Sequence, residues 1–356
     1  MFQTTRAACL FGLLVAISPL ATWAQNEVVP DGYTRAQVLK YPLISTALNV
    51  STVTSIGLID SADFADVKIP WWFHATIAPQ HIPMYQLDTR LGRRYSIAEA
   101  GFLAAHYATK SSPTVAKTAI NLYLNTAWYS IYNTYNIARS RAKPGVYPDE
   151  WRSYGVKELS LAPFQLKNIL RPLFLIPVGL ITWNQLNQIQ ESDSSIFKTK
   201  KAYIDGDEMP MGQAIAMMIG NNMLHYLATG IGEEALYRGV IYEELKVSFG
   251  SRRAKLIDFF LFPAIHVPMD IAAGRDADYI TEQFVQRGIA TLLFDYAYDK
   301  GGLPLSVSLH TWFNFINFTT NWMRDGGKPG LSSPRENAGS ASISAPPLMI
   351  SYTIWF

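Results

Sequence analysis

Residues 233–238 read Glu-Glu-Ala-Leu-Tyr-Arg and place two carboxylates and a guanidinium in a segment that is otherwise apolar. Two more segments follow this pattern: residues 262–266 read Phe-Pro-Ala-Ile-His, and residues 310–314 read His-Thr-Trp-Phe-Asn. Ionisable groups are expensive to bury unless they meet complementary partners. We therefore expect the three segments to meet in one shared site.

The spacing within the first segment separates its two carboxylates. Glu234 and Arg238 are four residues apart on a helix predicted to span residues 211–247, so their side chains meet on one face in the favourable order. Glu233 points about 100° away and is available for another role. We expect Arg238 to keep Glu234 ionised, and a partly desolvated Glu233 with a raised pKa to act as general base. A solvated ion-pair face is the alternative for this motif taken alone.

The other two segments supply imidazoles and an amide. His266 lies in an apolar run, and His310 and Asn314 are one helical turn apart, so Asn314 could orient His310 or donate to an oxyanion. Taken singly, each is also compatible with a hydrogen-bonded core residue. Two chemistries stay open. Glu233, His266 and His310 could ligate Zn²⁺. Alternatively, these residues could bind a water directly, with Glu233 removing its proton and the two imidazoles and Asn314 stabilising the oxyanion. The chain has no HExxH motif, so a conventional zincin is not supported.

In this order, the three motifs resemble those of the CPBP family, the Abi or CAAX-protease-like intramembrane proteases related to the eukaryotic CAAX prenyl endopeptidase. The family pattern EExxxR, FxxxH, HxxxN is intact, and the resemblance covers about residues 160–325. It implies a multi-helix membrane core that cuts peptide bonds of membrane-associated substrates after Glu233 activates water. Metal dependence stays open. The site residues that the resemblance implies are Glu233, Glu234, Arg238, His266, His310 and Asn314.

The two ends of the chain suggest an envelope context. Residues 1–24 have the charged start, apolar run and small residues of a secretory signal peptide, with an uncleaved membrane helix as the alternative. The single cysteine, Cys9, lies in this segment, so a processed chain would have no disulfide, thiol catalyst or cysteine-bound metal. Residues 348–356 alternate between two faces and end on an aromatic, which predicts a lone C-terminal strand or a docking peptide.

Composition limits the class of protein. The net charge is +2 with no basic block, so we expect no nucleic-acid partner. Charged residues make up 16% of the chain and mean hydropathy is +0.06. These values suit a membrane protein with polar helices or a large helical protein with a wide apolar core. Windows free of Asp, Glu, Lys and Arg are long enough to span a membrane at 41–59, 118–138, 172–190, 209–232 and 301–323.

We therefore predict an all-α fold, a multi-pass transmembrane helical bundle with an N-terminal helical accessory region and a lone C-terminal strand. The predicted division is a signal peptide at 1–24, the accessory region at 25–155, the protease core at 156–325, and a flexible tail with a terminal β-strand at 326–356.

Local patterns predict finer detail. Residues 25–95 look irregular, and Ser96 with Glu99 predicts a capping box that opens a helix to about residue 109. A second helix should run over 113–141, and residues 191–208 should form a loop. Glu243 and Glu244 have no arginine four residues on, and we interpret them as surface.

The predicted function is an intramembrane endopeptidase in the inner membrane of a bacterial envelope, with an exported N-terminus and a protein or peptide substrate. A prenylated substrate is not carried over, because a secretion signal argues against it. One alternative is a non-catalytic membrane scaffold or immunity-type protein that uses the same core for binding. Another is an outer-membrane or surface protein addressed by its C-terminal strand.

Overall fold

The computed structural model describes residues 32–61, 81–148, 151–272 and 274–327, which are almost entirely helical. The elements in chain order are α1 (Arg35–Ser61), α2 (Ile82–Leu87), α3 (Thr89–Ala108), α4 (Pro113–Ser140), α5 (Val156–Leu161), a 3₁₀ turn (Ala162–Phe164), α6 (Leu166–Ile169), α7 (Pro172–Glu191), α8 (Ile196–Thr199), β1 (Ala202–Ile204), β2 (Asp207–Met209), α9 (Met211–Leu236), a π-helical segment (Tyr237–Tyr242), α10 (Glu243–Phe249), α11 (Ser251–Ala272) and α12 (Ala277–Asp325). Strands β1 and β2 form a small antiparallel hairpin. The all-α prediction is confirmed.

Helix α9 lies at the centre, packed between α4 and α12. Its contact with α4 is a buried polar layer, in which the Asn121 amide donates to the Thr229 hydroxyl at 2.9 Å and to the His225 carbonyl at 3.2 Å. On the other side, Gly230 lies so close to α12 that a Cβ there would be 2.5 Å from the Thr311 hydroxyl. Close packing on both sides fixes the rotation of α9.

A kink divides α12 into two arms. Gly302 has φ 68° and ψ −173°, a conformation that is essentially restricted to glycine. The Tyr154 hydroxyl occupies the space that a Cβ at this position would need. The first arm, residues 277–301, and the second arm, residues 303–325, therefore run in different directions.

Glu243 and Glu244 connect the core to the N-terminal helices. Tyr135 of α4 donates to Glu244 at 2.6 Å, and Arg35 of α1 forms an ion pair with it at 2.8 Å. Glu243 is buried and bonds Lys246 at 2.8 Å. The interpretation of this pair as surface is wrong, because its partners include residues of distant helices.

Other local predictions are corrected as well. The described part of residues 25–95 is largely helical, not irregular. Helix α3 begins at Thr89, where the Asp88 side chain caps it, so Ser96 is no cap. Glu99 is instead buried, with its carboxylate 2.9 Å from the His81 imidazole. The predicted loop at 191–208 contains α8 and most of the hairpin. The predicted helix over 113–141 is confirmed by α4.

No helix in the described ranges combines the length and the apolar composition that crossing a membrane requires. The transmembrane part of the fold prediction is therefore not confirmed. The signal peptide at 1–24 and the C-terminal strand at 348–356 lie outside the described residues.

Replacing Gly232 by alanine should destabilise the fold. Its Cβ would lie 2.7 Å from the Asn125 Cα of α4, which is backbone and cannot rotate away. Overpacking of this kind costs about 1–3 kcal/mol. Gly220 is the matched control, because it lies on the same helix and nothing lies within 4 Å of its Cβ. Alanine there should stabilise the protein by roughly 0.5–1 kcal/mol. Equal shifts in thermal unfolding would contradict the packing described.

Candidate active site

Arg238 organises the site from the π-helical segment. Its guanidinium is fully buried and lies 3.2 Å from Glu234, 3.1 Å from Asp295 and 3.9 Å from Asp258. It also donates to the Thr291 carbonyl at 3.3 Å. A buried guanidinium is tolerated only when such acceptors surround it, so Arg238 joins α9, α11 and the first arm of α12.

Glu234 connects this cluster to the second arm of α12. One carboxylate oxygen accepts from the Nδ1 atom of His310 at 2.7 Å, and the other accepts a short hydrogen bond from the Ser306 hydroxyl. The His310 ring stacks on Phe294 with centroids 4.7 Å apart. Both oxygens of Glu234 are therefore occupied, and His310 is fixed in tautomer and orientation because a carboxylate can only accept.

Glu233 lies beside this network without joining it. Its carboxylate is 3.8 Å from the Nε2 atom of His310, and its side chain is 2% exposed. Its Oε1 atom has no hydrogen-bond partner among the described residues. The adjacent glutamates thus have separate surroundings, as their positions on the helix predict.

His266 presents one nitrogen to the same region. Its Nδ1 atom lies 2.6 Å from the Phe262 carbonyl of its own helix. A carbonyl only accepts, so Nδ1 carries the proton and Nε2 holds a lone pair when the ring is neutral. No described group bonds that Nε2 atom, and the same is true of Asn314 Oδ1 and Thr311 Oγ1. Buried polar atoms without partners are rare and indicate a position for water or substrate.

The surroundings shift the pKa values of the two glutamates in opposite directions. Burial raises the pKa of Glu233 well above its usual range, and the carboxylate of Glu234 raises it further. Burial acts on Glu234 too, but Arg238, His310 and Ser306 outweigh it, so the pKa of Glu234 is lowered. Burial, followed by the charge of Arg287, lowers the pKa of His266 to about 3. His266 is therefore neutral at physiological pH and accepts hydrogen bonds through Nε2.

The ring orientations suit metal ligation, since a metal-bound histidine commonly donates its other N–H to a carboxylate or a backbone carbonyl. However, no group of three or more His, Cys, Asp or Glu residues within the described ranges is arranged to hold a metal ion. The set Glu233, His266 and His310 therefore does not fit a zinc site in this structure, and we derive no step through a metal.

The structure brings Glu233, Glu234, Arg238 and His310 together. The charges of His310 and Arg238 act on the pKa of buried His266, and buried Asn314 lies one helical turn beyond His310. The structure also adds residues that sequence reasoning missed. Asp258 and Asp295 face Arg238, and Ser306 faces Glu234. The two aspartates carry the signal that identified the three motifs, a charged residue in an apolar run, but they match no spacing that would single them out.

A comparison with protein families identifies the central segment. Residues 216–316 match the family model described as "Type II CAAX prenyl endopeptidase Rce1-like". The segment is similar to the members of that family. This match confirms the resemblance to the CPBP family, and the Rce1-like segment contains all six motif residues. At the level of the family, it supports a CAAX-protease-like peptidase. No curated protein and no solved structure matches the chain.

Replacing Glu233 by glutamine should stabilise the protein at pH 7. Below the ordinary glutamate pKa of about 4.3, the carboxyl is protonated in both folded and unfolded chains. Above it, the unfolded chain ionises while the folded chain retains the proton, so Glu233 lowers stability as pH rises. The gain of Glu233→Gln in melting temperature should therefore vanish below about pH 4.

Glu234→Gln is the matched control and should behave in the opposite way. Because the pKa of Glu234 is lowered in the folded protein, its carboxylate adds stability at pH values above the ordinary glutamate pKa. This stability is lost as the pH falls through the pKa of Glu234 in the folded protein. Breaking this buried pair should cost about 3–5 kcal/mol at pH 7 and less in acid. Melting curves from pH 3 to 8 check both variants, and the same sign of shift at pH 7 would refute the assignment.

Proposed function

We propose that the chain is an endopeptidase that hydrolyses peptide bonds of membrane-associated protein or peptide substrates through a water activated by Glu233. The family match supports a peptidase. The observation that carries the mechanism is the contrast between Glu234, with both oxygens bonded, and Glu233, which faces His310 with one oxygen unbonded.

A protonated carboxyl cannot accept a proton from water, and the nearby imidazole of His310 can remove the proton from Glu233. Its raised pKa means that it holds a proton at rest. Transfer of that proton to Nε2 of His310, 3.8 Å away, yields a carboxylate beside an imidazolium. The net charge of the pair does not change, and Glu234 already accepts from Nδ1 and stabilises the cation. The transfer creates a negative and a positive charge side by side, so the basic form of Glu233 is reached without a change in the net charge of the site.

The attacking water would bind between two acceptors, the Glu233 carboxylate and the lone pair of His266 Nε2. As its oxygen bonds to the substrate carbonyl carbon, one water proton passes to Glu233 and the carbonyl electrons move to the oxygen. The amide of Asn314 and the N–H of protonated His310 are the donors available to that oxyanion. His266 holds water in this scheme and does not stabilise the oxyanion, because its Nε2 has no proton to donate.

Collapse of the intermediate completes the reaction. The carbonyl reforms, the carbon–nitrogen bond breaks, and the leaving amine takes the proton held by Glu233. The products are a new carboxyl terminus and a free amine, and Glu233 is ready for another water. The side chains of the site are nearly inaccessible, with Asn314 the most exposed at 3%. Substrate therefore enters only after neighbouring helices separate.

We further propose that the protein is held at a membrane of the bacterial envelope. Helix α7 supports this, because it exposes Ile176, Leu180 and Trp183 by 62%, 66% and 69%. Large exposed apolar patches are rare on soluble monomers and indicate contact with a membrane or a partner.

Loss of the Glu233 carboxylate should abolish cleavage. Removing a general base typically costs about 10²–10⁴-fold in rate. The rate at which Glu233→Gln cleaves quenched peptides anchored in lipid should therefore fall by that factor. Glu282→Gln, at an exposed position of α12, is the control and should match the wild type. Wild-type cleavage by Glu233→Gln would exclude the mechanism.

Two further arms of this assay separate the alternatives. A chelator should have no effect, and loss of activity would instead point to a metal on Glu233, His266 and His310. Activity should sediment with membranes and be faster on anchored than on unanchored peptides. If the wild type cleaves no member of the library, the scaffold alternative is favoured.

A further inference from the structure

We propose that Asp258 and Asp295 share a single proton and together act as a positioning pair that holds Arg238, and through it Glu234 and His310, in the reactive arrangement. Asp258 is on α11 and Asp295 is on the first arm of α12, and both are fully buried. Neither belongs to the three motifs.

The contacts of the pair require a proton. Asp295 Oδ1 lies 3.1 Å from Nε of Arg238 and Asp258 Oδ2 lies 3.9 Å from Nη2, so the two carboxyl groups meet at the same edge of one guanidinium. A hydrogen bond between the two side chains also contributes to the pKa of each. Two ionised carboxylates can only accept, so one of them must be protonated for that bond to form. Apart from the ion pair of Asp258 Oδ2 with Arg238 at 3.9 Å, which is too long for a hydrogen bond, both oxygens of Asp258 and the Oδ2 atom of Asp295 have no hydrogen-bond donor in the described part of the chain. One shared proton provides the missing donor.

The local charge balance leads to the same conclusion. Within the described residues, Arg238 is the cation that pairs with either aspartate, and it also pairs with Glu234. Three ionised carboxylates would leave two uncompensated negative charges among fully buried side chains. The other titratable groups that face the pair are Tyr237 and Tyr242, which add no positive charge. With one shared proton, the excess falls to a single negative charge. Burial also raises the pKa of both aspartates.

The pair affects the proposed chemistry indirectly, through Arg238 and Glu234. It fixes Arg238, which fixes Glu234, whose carboxylate orients His310. Neither aspartate touches the reacting atoms, so both are positioning residues. Arg238 needs one negative charge from the pair, and either aspartate can supply it. The two positions are therefore interchangeable, whereas two independent ion pairs would each be needed.

Asparagine substitutions test this equivalence. Asp258→Asn or Asp295→Asn should each keep peptide cleavage within about 3-fold of the wild type, because the remaining aspartate ionises and the new amide donates to it. The double variant has no negative charge left and should lose at least 100-fold in kcat with little change in KM. Asp299→Asn, one turn beyond Asp295, is the control and should leave cleavage unchanged.

Two results would overturn the proposal. If each single variant is as impaired as the double variant, then both charges are needed and no proton is shared. If the double variant is as active as the wild type, the pair is only packing. The pH profile of kcat adds a readout that packing would not move: the single variants should keep the wild-type profile, and the double variant should not. Thermal unfolding of each variant establishes that it is folded.

A second measurement does not depend on activity, whereas the kinetic test rests on the proposed function. Infrared spectra of purified Glu233→Gln protein at pH 7 should contain the carbonyl band of a protonated carboxyl, shifted in D₂O. That band should disappear when either Asp258→Asn or Asp295→Asn is added. Absence of the band from Glu233→Gln, or its persistence after either asparagine substitution is added, would refute the shared proton even if no peptide is ever cleaved. If the band behaves as expected but no peptide is cleaved, only the proposed function fails.

Discussion

The packing around the candidate site depends on the fully buried guanidinium of Arg238. An unpaired buried charge is strongly destabilising, so acceptors must be delivered to it from every side. Glu234 comes from α9, Asp258 from α11 and Asp295 from the first arm of α12. The three helices can therefore pack in only one relative rotation. Glu234 then extends the constraint to the second arm of α12 by accepting from His310.

This constraint explains how adjacent glutamates acquire different tasks. Glu234 lies on the side of α9 that faces Arg238, and Glu233, one residue earlier, faces away from it. Burial without a full set of partners favours the neutral carboxyl, and burial with Arg238, His310 and Ser306 favours the ionised one. Neighbouring titratable groups whose pKa values are shifted in opposite directions are typical of acid–base sites. The π-helical turn that carries Arg238 is a further feature common at functional sites.

Contacts between residues close in sequence could be predicted, and contacts between distant segments could not. The pairing of Glu234 with Arg238 could be predicted because its spacing is local, and α9 was predictable from its long apolar window. Asp258 and Asp295 were missed because their common partner is distant in sequence. Glu243 and Glu244 were misassigned for the same reason, since Arg35 and Tyr135 approach from other helices. Ser96 was misassigned because Asp88 caps the helix earlier.

The transmembrane prediction rested on windows free of charge, and those windows are where helices meet through polar groups. In α4 and α9, Asn121, His225 and Thr229 bond one another across the helix contact. A buried polar layer between helices keeps charged residues out while lowering the hydropathy. In these two helices, absence of charge accompanies a polar contact with a neighbouring helix, whereas the charge-free window of α7 exposes apolar side chains. Absence of charge therefore does not by itself identify the surrounding medium.

The claim that Glu233 acts as a base on water, and not as a nucleophile, is tested most directly by a single turnover in water enriched in oxygen-18. The account predicts that the new carboxyl terminus of the product acquires the label and that the proteolytic fragment containing Glu233 does not. Label recovered in the Glu233 carboxylate would mean that a covalent acyl intermediate had formed there, and it would contradict the mechanism.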